Sequence, residues 1–157
     1  MHPDTATSLN NLAGLYERQG KYAEAEPLYQ RALVIREQLL GTEHPDTVTS
    51  MNNLGALYYN QEKYAEAEPL YQRALAIREQ LLEAEHPDTA QSLNNLALLY
   101  KSQERYAEAE PLYQHALEIS MRLGRDHSLT QAICRNYLTF LRTLGRDEEA
   151  KHLEESF

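Results

Sequence analysis

Pairs of asparagine recur along the chain at a constant spacing and could bind the main chain of a peptide. They are Asn10-Asn11, Asn52-Asn53 and Asn94-Asn95, followed by Arg135-Asn136 near the C-terminus. An amide side chain donates and accepts hydrogen bonds, as does every peptide unit of an extended ligand. Asparagine also lowers helix propensity, so its repeated use predicts a ladder of ligand contacts, chiefly through the second member of each pair. The alternative is that one amide of each pair bonds a neighbouring helix and only aids stacking.

The segments that carry these pairs are basic within an acidic chain. Over residues 7–18, 49–60, 91–102 and 132–143 there is one acidic residue against four basic ones, whereas the whole chain has a formal charge of −9. This contrast favours an acidic peptide or a C-terminal carboxylate as ligand. We expect Lys101, Arg135 and Arg142 to supply the charge and Tyr59, off the apolar stripe, to stack on the ligand. The alternative is that the arginines of the last repeat only aid solubility.

No combination of residues indicates catalysis or metal binding. His-Pro-Asp occurs in the loop of J-domain cochaperones, but here it returns three times without a preceding basic helix and predicts a turn and a helix cap. Equivalent histidines of stacked units lie about one helix-pair width apart, with helices packing at ~8–10 Å, too far to share a metal ion at ~2 Å. Cys134 occupies an apolar position and is interpreted as a core residue. We therefore expect a protein that is not an enzyme and that binds no cofactor and no metal ion.

An internal repeat organises these residues. His2-Pro3-Asp4-Thr5 returns at His44 and again at His86, a period of 42 residues, and the segment that begins at Ala23 returns at Ala65 and Ala107. A degenerate fourth unit fits best in a register of 41, with His127 equivalent to His86. The predicted repeats are 2–43, 44–85, 86–126 and a C-terminal capping repeat at 127–157.

The apolar residues within each repeat follow a helical period. In the first repeat one stripe runs from Leu9 to Tyr16 and a second from Tyr22 to Ile35, separated by Gly20-Lys21. Two amphipathic helices per repeat predict an all-α fold of about eight helices in stacked antiparallel pairs, because no pair can bury its stripe alone. Pro27 and its equivalents Pro69 and Pro111 lie about one turn into the second helix, where we expect a kink and no break.

Composition excludes several classes of protein. The charge of −9 argues against binding to nucleic acid or to anionic lipid, which both need a basic surface. A single cysteine excludes an intramolecular disulfide, and no apolar run approaches the ~20 residues of a membrane span. We expect a cytoplasmic protein with a protein or peptide partner.

The repeat resembles the tetratricopeptide repeat (TPR). The positions that match its motif in the first unit are Leu12, Ala13, Tyr16, Gly20, Tyr22, Ala25, Tyr29 and Ala32. The 42-residue form, with Leu-Asn-Asn-Leu-Ala and Ala-Glu-Pro-Leu, is similar to repeats of kinesin light chains, nephrocystin-type proteins and many bacterial proteins, and we expect a bacterial origin. The resemblance implies a right-handed superhelix that holds peptides in a concave groove lined by the first helix of each pair, where the Asn residues lie. Kinesin-binding heptads are absent, so motor association is not implied.

The two ends of the chain differ in character. The first repeat opens without a polar cap, while charged residues replace apolar positions between Lys151 and Ser156. We expect the C-terminal portion of a longer array, a scaffolding or sensing segment of a larger protein. Two alternatives remain open: self-association through the uncapped first repeat, and an engineered repeat scaffold.

Overall fold

All regular secondary structure among the described residues is α-helical. The structure is a computed structural model that describes residues 3–81 and 86–157, without the side chain of Pro3; His2 lies outside it. Within these ranges the helices are α1 (Pro3–Arg18), α2 (Tyr22–Leu40), α3 (Pro45–Asn60), α4 (Tyr64–Leu81), α5 (Pro87–Ser102), α6 (Tyr106–Met121), α7 (Ser128–Thr143) and α8 (Asp147–Glu155). They confirm the predicted all-α fold of antiparallel helix pairs. None of the described helices is both long and apolar enough to cross a membrane.

The helices form two compact units. Unit 1 comprises Met1–Leu81 and contains α1 to α4, and unit 2 comprises Leu82–Phe157 and contains α5 to α8. Within each unit the second helix of the first pair also packs on the first helix of the next pair: α2 on α3, and α6 on α7. Each unit is thus a stack of two helix pairs.

Histidine caps the first helix of three pairs. Nδ1 of His44 accepts a hydrogen bond from the backbone N–H of Asp46 at 3.2 Å, and His86 and His127 make the same bond to Asp88 and Leu129. This bond satisfies one of the amide groups that a helix leaves free at its start. The turn-and-cap role predicted for His-Pro-Asp is confirmed at the two copies that the structure describes.

The turn inside each pair contains a residue in the left-handed conformation. Gly20 and Gly145 have φ of 72° and 71°, whereas Glu62 and Glu104 hold the equivalent places at 59°. A backbone bond from Lys21 N to Tyr16 O closes the first turn at 2.9 Å, and the turns at Glu104 and Gly145 repeat it 41 residues apart. The left-handed conformation costs an L-residue about 1–2 kcal/mol that glycine does not bear.

Replacing Glu62 with glycine is therefore expected to stabilise the protein. After allowance for the greater backbone entropy that glycine loses on folding, we expect the free energy of unfolding to rise by about 0.5–1 kcal/mol. Urea unfolding of the wild type and the variant measures the change. Glu62→Ala is the matched control, because it removes the same side chain and keeps the Cβ; an equal gain from alanine would contradict the backbone argument.

The second helix of three pairs contains an internal proline. Pro27, Pro69 and Pro111 are each the sixth residue of their helix, and α2, α4 and α6 continue through them. A proline removes one amide donor and its ring crowds the carbonyl four residues earlier. The helices are not broken there, as the sequence predicts.

The core of unit 1 lies between its helix pairs. Leu54 and Leu57 of α3 are 4% and 0% exposed and belong to one cluster with Tyr29 of α2. Gly55 lets α3 approach Tyr71 of α4 closely, since a Cβ at position 55 would lie 2.7 Å from Cε1 of that ring. Ala13 at the equivalent place of α1 is also fully buried.

Four aromatic rings pack against one another in unit 2. Phe140 of α7 is 0% exposed and lies between Tyr113 and Tyr106 of α6 and Tyr137 of its own helix, with ring centroids 5.3, 6.0 and 6.1 Å away. Tyr113 also stacks on Tyr137 at 5.8 Å. Aromatic rings at these distances interact favourably beyond the apolar area that they bury.

Candidate peptide-binding surface

The first asparagine of each pair in unit 1 points away from solvent. Asn10 of α1 is 9% exposed and its Nδ2 donates to Oγ of Ser50 on α3 at 3.3 Å. Asn52 is half-buried and donates to the carbonyl of Val48 on its own helix at 3.1 Å. The side-chain oxygens of both asparagines are buried and accept no hydrogen bond from the described residues. For Asn10 this is the stacking role that the sequence left as the alternative.

The second asparagine of each pair in unit 1 is more accessible. Asn11 is exposed and Asn53 is half-buried, and neither side chain is bonded within the described part of the chain. Tyr59 is also half-buried, with its ring 5.8 Å from that of Tyr64. The two amides keep donors and acceptors that a ligand could use.

Glu17, the single acidic residue among the predicted ligand-facing segments, is held inside unit 1. Its carboxylate accepts hydrogen bonds of 2.9 Å from the Tyr29 hydroxyl and from Nδ2 of Asn60. Burial and the hydrogen bond to Glu17 raise the pKa of Tyr29 above its ordinary value. The carboxylate therefore joins α1 to α2 and α3.

A buried arginine in unit 1 was not predicted from the sequence. Arg36 of α2 is 7% exposed, and its Nη1 donates to the carbonyl of Asp46 at 3.0 Å and to Oγ of Ser50 at 2.9 Å. Its Nη2 donates to Oγ1 of Thr7 on α1 at 3.2 Å. The guanidinium thus joins three helices through uncharged acceptors. It forms no ion pair with any described residue. The sequence signal was the Arg-Glu-Gln-Leu-Leu segment common to the first two repeats.

In unit 2 two of the predicted amides bond each other. Nδ2 of Asn136 on α7 donates to Oδ1 of Asn94 on α5 at 3.1 Å, and Asn94 is 4% exposed. Asn95 is half-buried and accepts from Nε2 of Gln91 at 2.9 Å. The Asn94–Asn136 bond holds two first helices together, which gives Asn136 a stacking role. Its contact with a ligand stays a prediction.

The predicted cations of unit 2 differ in their surroundings. Lys101 is half-buried, and burial lowers its pKa below the ordinary value of lysine. Arg135 is exposed and forms no ion pair within the described ranges. Arg142 is 51% exposed and pairs with Glu154 of α8.

A shallow recess of about 420 Å³ brings two of these cations together beside apolar side chains. Its walls include three cations, Arg125, Arg135 and Arg142, and two acids, Asp126 and Glu154. Leu138, Cys134 and Phe157 supply apolar surface. Cys134 is 6% exposed, and burial raises the pKa of its thiol, which agrees with its predicted place in the core. The recess can accept an apolar side chain next to an anionic group. Arg125 and Phe157 were not among the residues predicted.

A polar contact joins successive pairs within each unit. In unit 1 Glu26 of α2 pairs with Nζ of Lys63 at 2.9 Å, and Gln30 donates to the Tyr58 hydroxyl at 2.9 Å. In unit 2 Glu110 of α6 pairs with Nη1 of Arg146 at 2.7 Å, and Gln114 donates to the Tyr137 hydroxyl at 3.1 Å. We call this arrangement the Glu–Gln bridge: an acid and an amide one turn apart on a second helix meet a cation and a tyrosine of the next pair.

The family model of the tetratricopeptide repeat matches residues 4–80, 51–122 and 88–156. The chain belongs to the tetratricopeptide repeat family. TPR domains generally mediate protein–protein interactions and are typically not catalytic. The described residues contain no group of three or more His, Cys, Asp or Glu that could hold a metal ion.

Solved structures of TPR proteins resemble this chain closely. A crystal structure from Podosopora anserina, described as a kinesin light chain with nearly identical TPR-like repeats, matches with a TM-score of 0.89 at 28% identity. The alignment covers 99% of this chain and 74% of that one. BtubC (BKLC) from P. vanneervenii matches with a TM-score of 0.87 at 25% identity, covering 99% and 63% of the two chains. The repeats are thus of the kinesin light chain type. No curated protein sequence matches the chain.

Proposed function

We propose that this TPR array binds an extended acidic peptide through side chains on the first helix of each pair, within repeats bounded at 2–43, 44–85, 86–126 and 127–157. In unit 1 the ligand-facing side chains of this proposal are Asn11, Asn53 and Tyr59. In unit 2 they are Asn95, Lys101, Arg135 and Arg142. Asn10, Asn52, Asn94 and Asn136 support the surface from within, because most of their amide groups are buried or bonded inside a unit.

The observation that carries the proposal is the arginine-lined recess of unit 2. Arg125 and Arg135 have no ion pair in the described part of a chain whose formal charge is −9, so their charge is available to a ligand. Arg142 already holds a carboxylate, that of Glu154, which illustrates the kind of group that fits there. Leu138 and Phe157 add apolar surface within the same recess. An acidic peptide with an apolar residue beside its carboxylate would contact both the arginines and the apolar side chains of the recess.

Reversal of two charges tests this assignment. We expect Arg135→Glu combined with Arg142→Glu to weaken binding of an acidic peptide by roughly tenfold, since each exposed ion pair contributes up to about 1 kcal/mol. The probes are short fluorescein-labelled peptides with Asp, Glu and Leu, and matched peptides in which Asn and Gln replace the acids. Fluorescence anisotropy measures both affinities, and only the acidic peptide should respond to the substitutions.

A second double variant controls for net charge. Arg31→Glu with Arg73→Glu makes the same change in charge at exposed positions of two second helices, and Arg73, like Arg142, is ion-paired in the wild type. We expect it to leave the affinity for the acidic peptide within about twofold, because neither residue lines the recess. Equal losses from both double variants, or equal affinities for acidic and amide peptides, would refute the proposed site.

A further inference from the structure

The penultimate residue of the first helix changes in charge from pair to pair. This place is held by Glu17 of α1, Tyr59 of α3, Lys101 of α5 and Arg142 of α7. The proposed function already assigns the tyrosine and the two cations to the ligand-facing side. Glu17 is the acid at the equivalent place, so the repeat gives unit 1 an anionic group on the ligand-facing side of its first helix.

The carboxylate of Glu17 is hydrogen-bonded, but no cation neutralises its charge. The Tyr29 hydroxyl donates to Oε2 and Nδ2 of Asn60 donates to Oε1, each at 2.9 Å, and both donors are uncharged. Glu17 is half-buried and forms no ion pair with any described residue, the neighbouring Arg18 included. Adjacent residues of a helix do not face each other. A carboxylate has about four acceptor sites, so about two remain for a donor from a ligand.

A buried hydroxyl beside this carboxylate has no hydrogen-bond partner. Tyr71 of α4 is the repeat equivalent of Tyr29 and is 4% exposed, but its hydroxyl forms no hydrogen bond with the described residues. Tyr29 donates to Glu17, whereas one repeat later Tyr59 replaces that acid. Burial raises the pKa of Tyr71 above its ordinary value, and Tyr59 and Glu17 raise it further, so the hydroxyl lies beside both. Because an unbonded polar group at this depth is costly, a ligand that bonds it gains affinity.

Two glycines let the tyrosines reach this place. A Cβ at Gly14 of α1 would lie 3.3 Å from the Tyr29 hydroxyl, and a Cβ at Gly55 of α3 would lie 2.7 Å from Cε1 of Tyr71. A larger residue at Gly55 would push the Tyr71 ring away from α3. All four helices of unit 1 therefore contribute to the position of these side chains, and the packing of unit 1 itself builds the place.

We propose that Glu17, Tyr59 and Tyr71 form a subsite for a basic side chain of the bound peptide. The cationic group donates to the carboxylate of Glu17 and to the Tyr71 hydroxyl, and it lies against the ring of Tyr59. Arginine suits the subsite better than lysine, because its planar group donates to two acceptors at once and stacks on aromatic rings. An acidic side chain is disfavoured here, since Glu17 repels it. The inference rests on the proposed function in one respect, that a peptide lies along α1 and α3.

Arginine and its uncharged isostere citrulline test the subsite. The probes are two fluorescein-labelled peptides of Asn, Gln and Leu, one with a central arginine and one with a central citrulline. Fluorescence anisotropy measures their affinities for the whole chain. We expect the arginine peptide to bind roughly tenfold more tightly, the combined effect of an ion pair and a cation–π contact.

Two conservative variants assign this preference to the subsite. Glu17→Gln keeps an acceptor for Tyr29 and Asn60 but removes the charge, and it should bring the two affinities within about twofold. Tyr71→Phe keeps the ring and removes only the hydroxyl, and it should reduce the preference for arginine by about threefold. A purely structural role for either residue would weaken both peptides equally and leave the ratio of affinities unchanged.

Glu79→Gln is the matched control. It removes the same charge at an exposed position of α4, about two turns along the helix from Tyr71, and should leave the tenfold preference intact. Circular dichroism verifies that each variant keeps its helical content. Equal binding of the two peptides by the wild type, or a preference that survives Glu17→Gln, would overturn the subsite.

The acidic peptide of the proposed function, measured with the same variants, tells the two proposals apart. Binding that depends on Arg135 and Arg142, without any preference for arginine over citrulline, would overturn the subsite and support the proposed function. A preference for arginine that depends on Glu17, without acid-dependent binding, would support the subsite and overturn the arginine-lined recess as a ligand site. If none of the peptides bound, both proposals would be overturned.

Discussion

Phe140→Ala is expected to lower the free energy of unfolding by about 3–5 kcal/mol, among the largest effects of any single substitution in the chain. The ring is 0% exposed and contacts three other aromatic rings in unit 2. Its removal loses the transfer free energy of the side chain and leaves a cavity between α6 and α7, because neighbouring rings collapse only in part. Urea unfolding followed by circular dichroism measures the loss.

Two variants set the scale for this prediction. Phe140→Leu keeps most of the apolar volume and is expected to cost less than about 1.5 kcal/mol. Leu123→Ala removes an exposed side chain, 36% accessible, and is expected to change stability by less than about 0.5 kcal/mol. If Phe140→Ala cost no more than Leu123→Ala, the packing of these four rings would not stabilise unit 2.

The fold could be predicted from the sequence because two periodicities agree. The 42-residue repeat and the helical spacing of apolar residues both require two helices per repeat, and the structure has them in each described pair. The turns were also predictable, since Gly20 and Gly145 mark left-handed positions. Glu62 and Glu104 at the equivalent places show that the repeat imposes the turn even where the residue opposes it.

The different roles of the two asparagines in each pair were only partly predictable. Adjacent residues on a helix point about 100° apart, so one member of each pair had to lie closer to the neighbouring helix. The sequence alone did not show that Asn136, expected to contact a ligand, would donate to Asn94. That bond depends on how closely α5 and α7 approach, which is a property of packing between residues far apart in the chain.

Arg36 could not be assigned from the sequence because its partners come from two other helices, α1 and α3. From the sequence of its own helix, Arg36 resembles an ordinary exposed charge near the C-terminus of a helix, where basic residues are common. Its burial follows from the stacking of α2 on α3, which brings Ser50 and the Asp46 carbonyl within hydrogen-bond distance of the guanidinium. A buried charge of this kind is retained only where hydrogen bonds replace its hydration.

Arg36→Ala is therefore expected to lower the free energy of unfolding by about 3 kcal/mol. Three acceptors lose a charged donor, and an unsatisfied buried acceptor costs about 1–3 kcal/mol. The remainder is the packing of the arginine stem, since the whole residue is only 7% exposed. Urea unfolding of the alanine variant measures the sum of the two contributions.

Arg36→Met separates these contributions, because methionine keeps the stem and removes the guanidinium. We expect the free energy of unfolding to fall by about 2 kcal/mol. The cost of leaving the acceptors unbonded exceeds what is gained when a charge no longer has to be buried. A double-mutant cycle with Ser50→Ala isolates the hydrogen bond: in the Arg36→Met background Ser50→Ala should cost about 1 kcal/mol less than in the wild type. Additive effects in this cycle would show that the Arg36–Ser50 hydrogen bond contributes nothing to stability. A methionine variant as stable as the wild type would show that desolvation of the guanidinium cancels what its hydrogen bonds contribute.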